Sequence, residues 1–413
     1  MNADTRESWF VLVESNTTGS GRLFCAAARQ LGLRPVLLAR DPGRYPYVET
    51  DAIDSRVVDT TSVEAVLAAC RELDPAGVTS SSEYYVATAA EVAGVLGLPH
   101  PDPDAIRSCR DKYAQRVRLR DAGVPTPSFV AARTPDEAAD ATARIGPPVV
   151  VKPVAGSGSI ATRLCADPAE ARAAAAVVLD GDPAKLALPP QDAVMVEEYL
   201  DGPEYSVETL DDQVIGITRK YLGPAPYFVE TGHDFPAPLD PASAAAIGDA
   251  AVAALLALGL GWGPAHVELR VTAAGPRIVE VNPRLAGGMI PRLVEEALGI
   301  DLIHHVIATV AGRAETPRPT RARSAAIRFV VADRSGRLLD VTGIDDARAV
   351  PGVVEVEFTR SVGDDLVLRH SFQDRLGYVI ASAEDGSVAA SAADKGVLAV
   401  SAEIGALRHE EGS

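Results

Sequence analysis

The chain has 413 residues, of which 47% are hydrophobic and 23% charged, and its formal net charge is -18. At roughly 150 residues per domain, that length suggests two to four units, of which three or four are expected, and the apolar content excludes wholesale disorder. So acidic a chain, with no basic run carrying interleaved aromatics, argues against nucleic acid as a partner.

The N-terminus, MNADTRESWFVLVESN, carries no signal-peptide pattern, so a cytoplasmic protein is expected. The first hundred residues alternate strand-like and helix-like runs: WFVLVES, GRLFCAAARQLG, RPVLLAR, SVEAVLAACREL, AGVTSSS and YYVATAAEVAGVLG. This βαβαβ rhythm predicts a parallel sheet with crossover helices. PHPDPDAI, at 99–106, marks a boundary. A helix at DKYAQRVRLRDAG follows, then a strand and turn in PPVVVKPVAGSGSIATRL, an Ala-rich helix at 168–180, and a meander of VMVEEYL, YSVETL and QVIGITR. Beyond 240 come a long helix, the strands HVELRV and RIVEVN, and a helix through IPRLVEEALGIDLIHHVIATVAG. The apolar run at 251–262 is too short for a bilayer and predicts a buried helix, so no membrane is expected. ETPRPTRARS, at 315–324, reads as a linker into a small β-rich end.

Cys25, Cys70, Cys109 and Cys165 are scattered without a CxxC, which predicts reduced, structural thiols. The HxE at His266–Glu268 lacks the PCxxC of a zinc deaminase, and no zinc site is expected.

Two glycine-rich loops invite a phosphate. ESNTTGSGRLF, at 14–24, lacks the third spaced Gly of a dinucleotide fingerprint and the GK[ST] of a P-loop, so an anionic substrate group suits that helix start better. The second loop places Lys152 at the end of a Val-rich strand, before Gly156, Ser157, Gly158 and Ser159. Small residues let backbone N–H groups approach phosphate oxygens. A plain hairpin with a solvated Lys fits this stretch equally well.

HVELRVTAAGPRIVEVNPR reads as two strands and a short turn. A hairpin centred on Ala274 puts Glu268 directly opposite Glu280, with side chains ~5 Å apart on one face. Facing carboxylates repel unless cations bridge them, and with the Asn282 amide they form an oxygen set that Mg²⁺ accepts. A strand with a solvated polar face is the plainer alternative, and a slip of one residue would end the argument. Arg284 extends the same face with a planar fork of donors suited to phosphate or an oxyanion. Gly287 and Gly288 then let the backbone approach a ligand before a helix.

These pieces, in order, resemble an ATP-grasp enzyme: Asp111 and Lys112 followed by AGVPTPSF, VVVKP with its Ser/Gly loop, VMVEEYLDGPEYSVE, and HVELR paired with VEVNPR. The resemblance runs to about residue 315. It implies an α/β ATP-grasp fold with an N-terminal α/β domain (1–108), a linker helix and ATP lid (109–205), an ATP- and Mg-binding catalytic domain (206–318) and a β-rich C-terminal domain (319–413). By the same resemblance Lys112 and Lys152 bind ATP phosphates, and Gly156 to Ser159 form a lid. Glu197, Glu198, Tyr199 and Leu200 then line the adenine cleft, and Glu204 meets the ribose or a nearby polar group. Glu268, Glu280 and Asn282 hold two Mg²⁺, with Mn²⁺ as an acceptable substitute, and Arg284 steadies the acyl phosphate and the tetrahedral intermediate.

TGHDFPAPL and the NPRLAGG ending resemble the carboxylate–amine ligases that join L-amino acids. This makes His233 a candidate substrate contact, with a structural or solvated His the alternative. Glu83, where an open α/β sheet presents ligands, is a candidate for a substrate amine, with a carboxylate at a helix N-terminus the plainer explanation. SFQDRLGYVIASAEDG is similar to the last domain of biotin carboxylases, although no biotinyl site is present. The implied activity is amide formation from a small carboxylate and an amine through an acyl phosphate, in a possible homodimer. The alternatives are an ATP-grasp carboxylase, a purine-pathway or thioester-forming ligase, and a non-catalytic ATP sensor.

Overall fold

The computed structural model describes residues 8–16, 20–156, 158–181, 186, 188 and 191–406. At the N-terminal end, Asp54–Val57, Arg34–Ala39, Trp9–Val13 and Gly77–Thr79 form a parallel sheet in that spatial order. The two central strands are almost fully buried, which is why they read as apolar runs rather than alternating ones. Asp54–Val57 was not legible in the sequence because it is a largely exposed edge strand of polar composition, DSRV.

Two helices follow with one residue between them. Asp102 caps Pro103–Arg110 and Asp111 caps Lys112–Asp121, each through side-chain acceptance of backbone N–H groups. The chain therefore turns sharply at Asp111.

A four-stranded antiparallel sheet comes next, ordered Phe129–Ala132, Val194–Glu198, Val149–Pro153, Arg163–Cys165. The VMVEEYL run lies inside this sheet instead of opening a meander with the strands after it. Its apolar start has no period-2 alternation, so sequence identified a buried strand but not its sheet.

An eight-stranded sheet forms the centre: Gly275–Asn282, Pro264–Thr272, Glu204–Leu210, Gln213–Leu222, Glu230–Phe235, Ser324–Val331, Arg375–Ala383, Val353–Phe358. Strands from beyond residue 318 continue this sheet, so the linker at 315–324 joins two parts of one layer. Helix Pro241–Leu258 packs Ile247, Ala251, Leu255 and Leu258 into the core with Val207, Val267, Leu269 and Ile278. At 18 residues and mean hydropathy 1.7 it is longer than the expected apolar run and long enough by composition to cross a membrane; here one of its faces covers the sheet.

The single helix expected after Met289 is two, Ile290–Leu298 and Leu302–Val310. Gly299 ends the first in a left-handed conformation, and Asp301 caps the second through the His304 N–H. A small sheet of Asp365–Leu366, Gly336–Thr342 and Ser401–Gly405 completes the C-terminal end.

Candidate active site

Glu268 pairs directly with Glu280, and His266 with Asn282, across the hairpin of Pro264–Thr272 and Gly275–Asn282. The turn is not centred on Ala274. Thr272 pairs with Gly275 and Leu269 with Ile278, a register that on its own would set Glu268 opposite Val279. Between Leu269 and Glu268 the partner jumps from Ile278 to Glu280, so Val279 is the extra residue of a β-bulge. This explains how Ile278 is buried in the core while Glu280, two residues later, borders the cleft.

Helix Lys112–Asp121 holds the bulge. Arg116 donates to the Val279 carbonyl. The Gln115 amide donates to the Val281 carbonyl at 2.8 Å and accepts from the Val281 N–H at 2.9 Å, as a neighbouring strand would. Both side chains are buried. The sequence reading missed them because their task depends on a bulge that no local pattern announces.

The cleft encloses about 960 Å³ including its mouth. Lys112 donates to Glu280 at 3.1 Å and to the Gly156 carbonyl at 2.5 Å. Lys152 meets Glu197 at 2.5 Å, and Glu197 also accepts from Arg116 at 2.7 Å. The Glu197 carboxylate therefore links a cleft lysine to the bulge clamp rather than standing free for a base. Burial pushes the Lys152 amine down, with Glu197 opposing.

A third lysine, Lys220, was also missed. It lies 2.7 Å from Glu230 and 3.2 Å from both Glu204 and Glu268. Burial works against its charge, but these carboxylates outweigh burial and hold the amine well above its ordinary range. Glu268 is held well below the ordinary carboxylate range, because Lys220 and His266 outweigh its burial. Only the pairing of Gln213–Leu222 with Glu204–Leu210 brings Lys220 beside Glu204, and no short motif encodes that.

Glu198, Tyr199, Leu200 and Glu204 border the same cleft as Lys112 and Lys152. Arg270 organises the last three: it donates to the Leu200 carbonyl at 2.9 Å and to Glu204 at 3.0 Å, and lies 5.3 Å from the Tyr199 ring. The loop above includes Gly156, Gly158 and Ser159, all with positive φ; Ser157 lies outside the described residues. A Cβ on Gly158 would meet the Phe372 ring at 2.3 Å, so only glycine lets the loop rest on the C-terminal segment.

At the far end Arg284 donates to Glu83 at 2.8 Å, joining the N-terminal domain to the hairpin strand. Gly287 faces open space. A Cβ on Gly288 would meet the His233 Nε2 at 2.7 Å. His233 does not border the cleft as expected; it is fully buried beneath that loop, edge-on to Phe329, and neither ring nitrogen is hydrogen-bonded. Burial drives its pKa down to about 3, so the ring is neutral. Strand Glu230–Phe235 is central in its sheet, paired with Gln213–Leu222 and with Ser324–Val331, and His233 lies on its enclosed side.

Among the described residues no three His, Cys, Asp or Glu side chains cluster as a complete metal cage. Two opposed carboxylates and an amide oxygen still fit Mg²⁺, which commonly takes one or two carboxylates and completes its shell with water and phosphate oxygens. Glu268, Glu280 and Asn282 are the residues that would hold it.

Residues 145–292 match the ATP-grasp domain, and residues 328–405 match the L-amino acid ligase C-terminal domain 2. An uncharacterised protein of Sinorhizobium fredii, y4rH, is 40% identical over 391 residues, covering 94% of this chain and 81% of that one. Human carnosine synthase 1 is 27% identical over 322 residues, 72% of this chain but 39% of the longer enzyme. The crystal structure of an L-amino acid ligase from Bacillus licheniformis superposes with a TM-score of 0.77 at 22% identity, over 97% of this chain and 99% of that one. Two domain signatures, in the places where the fold sets the cleft and the strands behind it, lead to one conclusion: the chain belongs to the ATP-grasp ligases and carries the C-terminal domain of the L-amino acid ligase type.

Proposed function

We propose that the protein is an ATP-dependent carboxylate–amine ligase that joins two amino acids, with release of ADP and phosphate. The observation carrying this reading is the direct opposition of Glu268 and Glu280, with Asn282 and Arg284 continuing along the same chain into a cleft that also holds Lys112 and Lys152.

In this reading the γ-phosphoryl group passes to a substrate carboxylate oxygen. The amine then attacks the acyl carbon, the carbon–oxygen bond to phosphate breaks, and phosphate leaves with that oxygen. Lys112 and Lys152 neutralise phosphate charge. Mg²⁺ held by Glu268, Glu280 and Asn282 would add to that neutralisation. Arg284, anchored by Glu83 and by the Leu285 carbonyl, gives its remaining donors to the charge that develops on the acyl phosphate and tetrahedral carbon. In the same reading Glu83, the partner of Arg284, receives the substrate amine, and the Gly287–Gly288 backbone shapes the chamber beside it.

Positioning and electrostatics carry such a reaction, so no covalent nucleophile is required. The cysteines agree: all four are buried, and burial pushes Cys25, Cys70 and Cys109 up to about 12 and Cys165 to about 11, leaving no thiolate at neutral pH.

A pairwise screen of the twenty amino acids for ADP release, followed by product mass, tests the proposal. Release that needs both a carboxylate and an amine, with a product one water lighter than the pair, supports it. ADP release that no pair stimulates would remove it.

A further inference from the structure

Lys112, Gly156, Glu280, Asn282 and Arg284 border two cavities rather than one. The second encloses about 400 Å³ including its mouth and lies towards the N-terminal domain. Glu83 and Val86 come from that domain, and Ile106, Cys109 and Arg110 from helix Pro103–Arg110.

The cations here differ in one respect. Arg284 is held by Glu83, and Lys112 by Glu280. Arg107, one helical turn before Arg110, is paired with both Asp104 and Glu91. Arg110 has no carboxylate partner among the described residues, in a chain whose net charge is -18. Its guanidinium stacks on the Tyr84 ring, 4.2 Å from the centroid, and is half-buried. Stacking fixes the plane of the fork and leaves its edge donors free for a planar anion.

Arg110 borders the second cavity but not the first, where the candidate phosphate and metal residues converge. A carboxylate on Arg110 is therefore one that is not activated. We propose that Arg110 binds the spectator carboxylate of the amine-bearing amino acid, the one that is not activated. Val86, Ile106 and Cys109 give it an apolar side-chain wall. The inference rests on the ligase reading, within which it assigns the residue that holds the second amino acid.

The test is calorimetric binding to the full chain in the presence of Mg²⁺ and adenylyl imidodiphosphate, with L-alanine, L-valine, L-leucine and their carboxamides as probes. At least one acid should bind about tenfold or more tightly than its amide, the loss expected for one charge-assisted fork. Arg110→Ala should abolish that preference while binding the nucleotide analogue as the wild type does, which shows that the variant folds. Arg110→Lys should restore part of the preference. A preference that survives in Arg110→Ala, or no binding by any of the three acids, overturns the inference. So does a response confined to the dicarboxylate succinate, which would move Arg110 to the acyl substrate. Binding needs no turnover: Arg110-dependent binding without amide product defeats the ligase reading alone, and amide synthesis indifferent to Arg110 defeats this inference alone.

Discussion

Glu268 faces Glu280 across the hairpin because Val279 is bulged out of the ladder. The turn at Ala273 and Ala274 sets one register, and the bulge shifts it by one residue where the carboxylates must meet. Two like charges held this way are unfavourable in themselves. Lys220 and Lys112, one beside each carboxylate, offset that repulsion.

Glu280→Gln removes a charged oxygen pair but keeps the shape. ADP release should fall by about a hundredfold or more, the scale of losing one electrostatic contact at a developing charge, while the urea midpoint stays near that of the wild type. Steady-state kinetics across a Mg²⁺ titration checks this, and unchanged kinetics would take Glu280 out of the metal set.

Arg284→Lys keeps the charge and loses the fork. Turnover should drop about a hundredfold with the KM for ATP nearly unchanged, because the lost interaction belongs to the transition state. A raised KM for ATP with intact turnover would instead put Arg284 on the nucleotide.

Gln115→Leu leaves the buried N–H and C=O of Val281 without partners. Each unsatisfied group costs about 1–3 kcal/mol, so unfolding should become easier by about 2–6 kcal/mol in urea denaturation. Activity should fall with stability as the bulge relaxes; a variant as stable as wild type would mean that the hairpin holds its register unaided.

His233 gives the fold a pH dependence. In the unfolded chain the ring takes up a proton below 6.5, whereas in the folded chain burial delays this to about 3. The unfolded state binds more protons between those values, so stability is full above 6.5 and declines as pH falls, by about 1.4 kcal/mol per unit. His233→Leu should lose this component. Denaturation of both proteins at pH 7.5 and 5.0 should show a smaller acid loss in the variant, and equal losses would contradict a neutral buried ring.

The parts of the site legible in sequence were those whose chemistry is local. Lys152 ends its own strand, Asn282 and Arg284 follow Glu280 at alternate positions, and the order of fragments identified the fold. The bulge was not legible, and the correct pairing of Glu268 with Glu280 came from a turn centre that the structure moves. Lys220, Arg270, Gln115 and Arg116 were missed because each acts through a partner distant in sequence. His233 was read as a ligand contact because a motif shows residue type but not the side of a strand that is enclosed. VMVEEYL illustrates the same limit, since the apolar start of a strand does not disclose its sheet.

The most direct test of the ligase account is isotope transfer from the carboxylate substrate. With both carboxylate oxygens labelled with ¹⁸O, the account predicts that each phosphate released with the amide carries one ¹⁸O, by mass spectrometry. Unlabelled phosphate released alongside amide would contradict activation through an acyl phosphate.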